Sequence, residues 1–259
     1  MSTCPTLAEH DPRILFPLEY PRAWSMFKAA QTESWTCEDV LFDSCWVSSD
    51  IKPLLALELA DFVAGVCAVS APAKILAIVR RAEFACFLSF QEMLHSVHHE
   101  VTATAVCNAP YDNGSIRAVV VPDWVEPITS AVTGGSALEM VHLSAFIAAA
   151  STFVHDLHDR SESDPVVREL ARRISRDYDR FLNFALLVSA VVAALEPVDE
   201  CVYSRTADHA IGRALDRCGI PASRARWVRG QFLASLVRER ELIANPPDDS
   251  EEDSHSSSE

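Results

Sequence analysis

An all-α bundle of about eight helices is the fold that the sequence predicts, and three observations predict it. Only 7 glycines occur among 259 residues that are 49% hydrophobic, and so little Gly beside abundant Ala and Leu argues against an all-β chain. Apolar positions recur with a period near 3.6 over long stretches, as in Phe84, Phe87, Leu88, Gln91, Leu94 or His95, His98, Val101 and Thr102, rather than alternating as on a strand. Proline and glycine fall between these stretches and divide them. The length and apolar content suit one sizeable core better than two small ones.

The elements follow in order. Pro5, Pro12 and Pro17 leave residues 1–19 as an extended arm with little periodicity. Pro21 suits the first turn of a helix running to Thr32, and Thr36 caps a short turn beginning Cys37-Glu38-Asp39. Ser49 or Asp50 caps a helix with Pro53 in its first turn and an apolar stripe through Leu54, Leu57, Ala60 or Asp61, Ala64 and Cys67. After Pro72 a long helix is predicted over 74–107, and the turn-rich Asn108–Gly114 ends it. Ala118 to Val121 is read as loop or helix, because an isolated strand of that length buries little. Further helices are predicted over 122–132, over 136–158 after Gly134-Gly135, over 164–195 up to Pro197, over 198–218 up to Gly219, and over 222–243. No repeat of fixed period and no heptad pattern occurs.

The formal charge of -15 is uneven. Residues 246–259, from Pro246-Pro247 through Asp248, Asp249, Glu251, Glu252 and Asp253 to Glu259, read as a disordered, acidic, Ser-rich tail in which Ser250 is a candidate for phosphorylation. Between Arg205 and Arg240 the balance reverses, with Arg213, Arg217, Arg224, Arg226, Arg229 and Arg238 in between. An exposed cationic face is the expectation there, and nucleic acid is not an expected partner, since stacking aromatics are not interleaved. The first residues lack a basic segment followed by an apolar one, so an intracellular, cytoplasmic protein is expected, with the nucleus left open. Its cysteines are then expected to be reduced and mostly small buried residues; none forms a Cys-x-x-Cys pair. The apolar runs Leu138–Val154 and Phe181–Leu195 contain Glu139, His142 or Asn183 and read as core helices rather than membrane spans.

Some side chains have the spacing of chemistry. His95, His98 and His99 lie three and four apart, so pairs of them share a helical face as metal ligands do, although a structural role fits the same spacing. Glu92-x-x-His95 and Glu139-x-x-His142 have the spacing by which two-iron bundles aim a carboxylate and an imidazole at one point. There is no Gly-x-Ser-x-Gly and no Gly-rich phosphate loop, which sets hydrolase and kinase readings aside.

Three segments go further. Ile14 to Val40, containing Phe16-Pro17-x-x-Tyr20, Trp24-x-x-Phe27-Lys28-x-Ala30 and Trp35-Thr36-x-Glu38-Asp39, resembles the signature FP-x-x-Y, W-x-x-Y/F-K-x-A, W-T-x-E-E of eukaryotic and viral small subunits of class I ribonucleotide reductase. Glu83 to Glu100 is similar to that family's helix E-A-x-C-F-Y-G-F-Q-x-x-x-E-N-I-H-S-E, and Ile174 to Ala185 to its I-S-R-D-E-x-x-H-x-x-F-A helix. The similarity runs with gaps from Arg13 to Gly219, and the region after Phe184 is shorter than in the family. The resemblance implies a ferritin-like helical domain over 20–245, which in the family holds two irons beside a tyrosyl radical.

Carried over position by position, the family's six ligands fall on Ala64, His95, His98, Ala148 (or Ile147, one register away), Tyr178 and Phe181. The radical tyrosine falls on Thr102, and Trp46 is set against the electron-transfer tryptophan. Only His98 keeps the family's residue, while Glu139 and Asp177 are carboxylates off the ligand register. Alanine, phenylalanine and a neutral tyrosine do not supply the anionic oxygens that two bridged irons require, and threonine cannot host a phenoxyl radical. The resemblance thus implies an inactive homologue: no catalytic residue, no cofactor and no metal expected, any residual ion being placed at His95 and His98. Folding without metal follows, because filling the place of buried carboxylates with Tyr178, Phe181 and alanines removes like-charge repulsion. The expected partner is a protein, either a second copy or an intact ribonucleotide reductase small subunit. Docking on the large subunit is not expected, because the acidic tail has no apolar anchor. Two alternatives stand beside this: an active small subunit with a metal site shifted onto Glu92, His95, His98, Glu139 and His142, and a scaffold whose Arg-rich helices bind an acidic partner or nucleic acid.

Overall fold

A computed structural model describes residues 19–40, 53–58, 61, 81–108, 136–196 and 198–246. Among them are six α-helices and one 3-10 turn and no strand: α1 (Pro21–Thr32), the turn Cys37–Asp39, α2 (Ala82–Asn108), α3 (Ala137–Arg160), α4 (Pro165–Leu195), α5 (Glu200–Arg217) and α6 (Ala222–Ala244). Residues 53–58 and Asp61 are also helical. The all-α expectation holds, with seven such elements where about eight helices are predicted. The predicted arm over 1–19 apart from residue 19, the helix over 122–132, the segment 118–121 and the predicted tail over 246–259 apart from residue 246 lie outside the described residues.

The helix ends follow local chemistry. Ser136 accepts from the Glu139 N–H while Glu139 reaches back to the Ser136 N–H, a reciprocal cap that starts α3. Asp164 caps α4 by accepting from Val167 N at 3.1 Å, ahead of Pro165 in the first turn. Asp199 does the same for α5 through Val202 N at 3.0 Å. Gly219 ends α5 with φ of 66°, and the Ile220 N–H returns to Leu215 O at 3.1 Å. α2 begins at Ala82, since Arg81 is not helical, and residues 74–80 of the helix predicted over 74–107 lie outside the described residues. The start is tied to a distant segment: Arg81 pairs with Glu19, and buried Glu83 accepts the Tyr20 N–H at 3.0 Å.

α3 and α4 form the main seam, with α5 against α3 and α6 against α4. Small residues let the two backbones approach: Ser144 donates to Met140 O, lies 2.7 Å from Ser189 Oγ, and sits among Ala145, Ala148, Ala149 and Ala185. α2 joins through aromatics, Phe87 stacking on Phe184 at 4.0 Å and Phe84 meeting it at 5.5 Å. α1 covers α2 through Tyr20 on Phe84 and Phe27 on Phe90. Its Arg22 also forms a two-pronged pair with buried Glu239 of α6. α3 and α4 are long and apolar enough to cross a membrane, but 78% and 67% of those apolar stretches are buried inside the bundle, as core helices are.

The cysteines depart from expectation. Cys37, Cys86 and Cys218 are half-buried, Cys107 and Cys201 are exposed, and all five are free thiols. Cys37, in the 3-10 turn, and Cys218, just past the end of α5, pack against the edge of the core rather than inside it. Burial pushes Cys218 up to about 12, so its thiol stays protonated.

Candidate functional site

The buried stripe of α2 carries Gln91, His95, His98 and Thr102 in successive turns. Asp61 lies against this stripe, and α4 faces it with Asp177, Tyr178 and Phe181. Trp35 enters from the segment after α1. Asp61, His95, His98, Asp177, Tyr178, Phe181 and Trp35 are all buried.

Two carboxylates organise the cluster. Asp61 Oδ1 lies 2.8 Å from His98 Nδ1 and 3.1 Å from His95 Nδ1, and accepts from the Tyr178 hydroxyl at 3.4 Å. Asp177 Oδ2 lies 3.0 Å from His98 Nε2 and accepts the Trp35 indole N–H at 2.8 Å, while its Oδ1 takes the Arg180 guanidinium at 2.6 Å. Arg180 also pairs outward with Glu33. The Trp35 ring stacks on the His98 ring at 5.6 Å, and the Arg173 guanidinium sits 5.3 Å from the Trp35 ring.

His98 thus faces a carboxylate at each ring nitrogen. Burial disfavours its charge, but Asp61 nearby and the hydrogen bond to Asp177 outweigh burial and push it up to about 9. Asp61 is held below the usual carboxylate range: burial works against this, and the charges of His98 and His95 overcome it. His95 differs from His98, since its buried Nε2 has no hydrogen-bond partner among the described residues.

Of the positions taken over from the family resemblance, His95 and His98 come together, with Tyr178 and Phe181 closed over them; Phe181 lies 4.9 Å from the His95 ring and 5.8 Å from Tyr178. Thr102 is buried one turn on, its hydroxyl 2.7 Å from His98 O and also against the Glu58 carboxylate, the two acceptors sharing its one proton. Ala148 and Ile147 are buried on α3. Ala148 borders a cavity of about 390 Å³ against α6 with Ser151, His155, Asp179 and Trp227. Ala64 and Trp46 lie outside the described residues. The carboxylate that meets the histidines is Asp61, three positions before Ala64 in the sequence, and the tryptophan beside them is Trp35. Asp177, off the ligand register, holds His98 from its far side.

The alternative set of Glu92, His95, His98, Glu139 and His142 does not converge. Glu139 is spent on capping α3, and His142 is half-buried on α3, where burial, aided by His209 and Arg213 of α5, lowers its pKa. The cationic face is partly neutralised within the fold. Arg224 pairs with Asp156, Arg229 with Asp208, and Arg240 with Glu200 while lying over the Tyr203 ring.

Sequence spacing did not reveal Asp61 or Trp35 as members of the cluster. The signal for Asp61 was its place on the apolar stripe Leu54, Leu57, Asp61, where a carboxylate has no reason to be unless it has a buried partner.

No family model matches the chain. It is 32% identical over 107 residues to the ribonucleoside-diphosphate reductase small chain of Neurospora crassa, covering 37% of this chain and 26% of that protein. To the small chain of Variola virus it is 30% identical over 105 residues, 38% of this chain and 33% of the relative. To a putative ribonucleoside-diphosphate reductase small chain of Arabidopsis thaliana it is 28% identical over 95 residues, 34% of this chain and 60% of the relative. The chain therefore spans less than two thirds of each of these relatives. Over the segments that align, it is similar to the small chains of ribonucleoside-diphosphate reductase.

Proposed function

We propose that this chain is a ribonucleotide reductase small-subunit-like protein with a ferritin-like bundle, without a two-iron centre or tyrosyl radical, that acts through contacts with other proteins. The observation that carries the reading is the donor set. A bridged pair of ions needs several anionic oxygens; of the positions that the resemblance matches to carboxylate ligands, those described hold His95, Ala148 and Tyr178, and Tyr178 together with Phe181, which stands at a histidine-ligand position, fills the space at 0% and 1% exposure. Among the described residues, the donors that converge are two imidazoles and one carboxylate around a single point, a set too poor in anionic oxygen for a dinuclear centre. Thr102, at the position of the radical tyrosine, is a hydrogen-bonded aliphatic hydroxyl.

A role through contacts draws support from α6, where Trp227 and Val237 are 65% and 52% exposed, the kind of side chains that anchor partners. The partner expected is a ribonucleotide reductase small subunit or a second copy of this chain. The test is a pull-down with purified chain as bait and ribonucleotide reductase subunits as prey, run beside elemental analysis and electron paramagnetic resonance. Recovery of a small subunit, with no radical signal and fewer than two irons or manganese ions per chain, is expected. Two ions per chain, or a tyrosyl signal, would overturn the reading.

A further inference from the structure

The geometry points to a mononuclear site in which Asp61, His95 and His98 hold one divalent transition-metal ion of the zinc type. It rests on the reading above that no dinuclear centre forms. One oxygen of Asp61 and one nitrogen of each imidazole lie within 4.8 Å of one another, and all three side chains are buried. Ligand bonds of about 2.0–2.2 Å at tetrahedral or octahedral angles separate neighbouring ligand atoms by about 2.9–3.5 Å. The separations of 2.8 and 3.1 Å from Asp61 Oδ1 reach that range with shifts of a few tenths of an ångström.

Three features favour an ion over hydrogen bonds alone. Asp61 Oδ1 is approached by His95, His98 and Tyr178 together, more donors than one oxygen has lone pairs to satisfy. An ion at the common point takes both nitrogens and the oxygen as ligands and leaves Tyr178 to donate alone. Second, the outer arrangement needed by a ligating histidine is complete: His98 Nε2 meets Asp177, which Trp35 and Arg180 hold in place. Such a carboxylate fixes the tautomer that presents the lone pair of Nδ1 inward. Third, charge closes. A divalent ion balances Asp61 and Asp177, while Arg180 is matched outward by Glu33. Two imidazoles and one carboxylate suit zinc with water or hydroxide as fourth ligand, and the same donors accept cobalt(II).

The full chain, stripped with a chelator, is titrated with Co²⁺ while visible absorption is followed, and Zn²⁺ is then added. One equivalent of Co²⁺ is expected to develop d–d bands that Zn²⁺ abolishes. His95→Gln and Asp61→Asn are expected to weaken binding by at least about tenfold, and Asp177→Asn by about 10–100-fold; far-UV circular dichroism identifies the variants that remain folded. Zinc K-edge spectra of the wild-type chain test the site without any substitution: a shell of nitrogen and oxygen alone is expected. No cobalt bands in the folded chain, sulfur in the zinc shell, or undiminished binding by folded His95→Gln would overturn the single-ion site and leave the absence of a dinuclear centre standing. Two ions per chain would overturn the latter instead.

Discussion

Asp177 shows how much one buried carboxylate can organise. It receives the indole N–H of Trp35, an imidazole nitrogen of His98 and the guanidinium of Arg180, at 0% exposure. Replacing it by alanine strands these groups in a place water cannot easily serve. Asp177→Ala is expected to cost about 2–4 kcal/mol, the range for breaking buried charged hydrogen bonds; urea unfolding followed by fluorescence measures it, and a loss below about 1 kcal/mol would contradict the network. At this scale the sequence was only partly legible. His98 was identifiable because it sits in a long, specific motif, whereas Asp61 meets it across 37 residues of chain. Spacing along one helix carries no information about which carboxylate a neighbouring helix brings across. Register on that neighbour matters, and Ala64 and Asp61 are three positions apart in the sequence. Trp35 was missed for the same reason, since its partner Asp177 is 142 residues away.

Helix boundaries, by contrast, were readable where a capping residue sits beside proline or glycine. Asp164 with Pro165, Asp199 after Pro197, and Gly219 before Pro221 each act within a few residues, so their physics is contained in the local sequence. The start of α2 was less legible, because its first turn answers to Tyr20 and Glu19 of a distant segment. Between elements, α3 and α4 are joined at the surface by Asp179, which accepts from Ser151 at 2.8 Å and lies 3.1 Å from His155 Nε2. The Asp179 hydrogen bond raises the pKa of His155 against the opposing effect of burial. A raised histidine stabilises the fold fully below its unfolded pKa, near 6.5, and the contribution is lost as pH rises through the folded value. His155→Gln is therefore expected to lower stability more at pH 5.5 than at pH 8.5, and urea midpoints at the two pH values check the sign. A loss that grows toward alkaline pH would refute the pairing.

For the molecule as a whole, the densest packing among the described residues lies between α3 and α4, whereas α2 meets α1 and α4 over smaller surfaces. Opening free energies should follow this gradient. Amides in the middle of α4, from Leu186 to Val192, are expected to exchange with deuterium most slowly, and those of α1 faster by at least an order of magnitude; residue-resolved exchange is the measurement. Equal protection across α1 and α4 would mean that the bundle opens as one unit. The fold class was legible in the sequence because helical periodicity and low glycine are global properties. The order of stability was not, since it depends on how much of each face finds a neighbour.

The pairing of Arg22 with Glu239 has a consequence in time. The two residues are 217 positions apart, so during synthesis at about 5–20 residues per second the first waits roughly 10–40 s for the second to be made. Over that interval α1 lacks its clasp on α6, and the charged ends of both stay wet. The helices between them have time to assemble before Arg22 finds Glu239, which makes α6 the helix that completes this clasp.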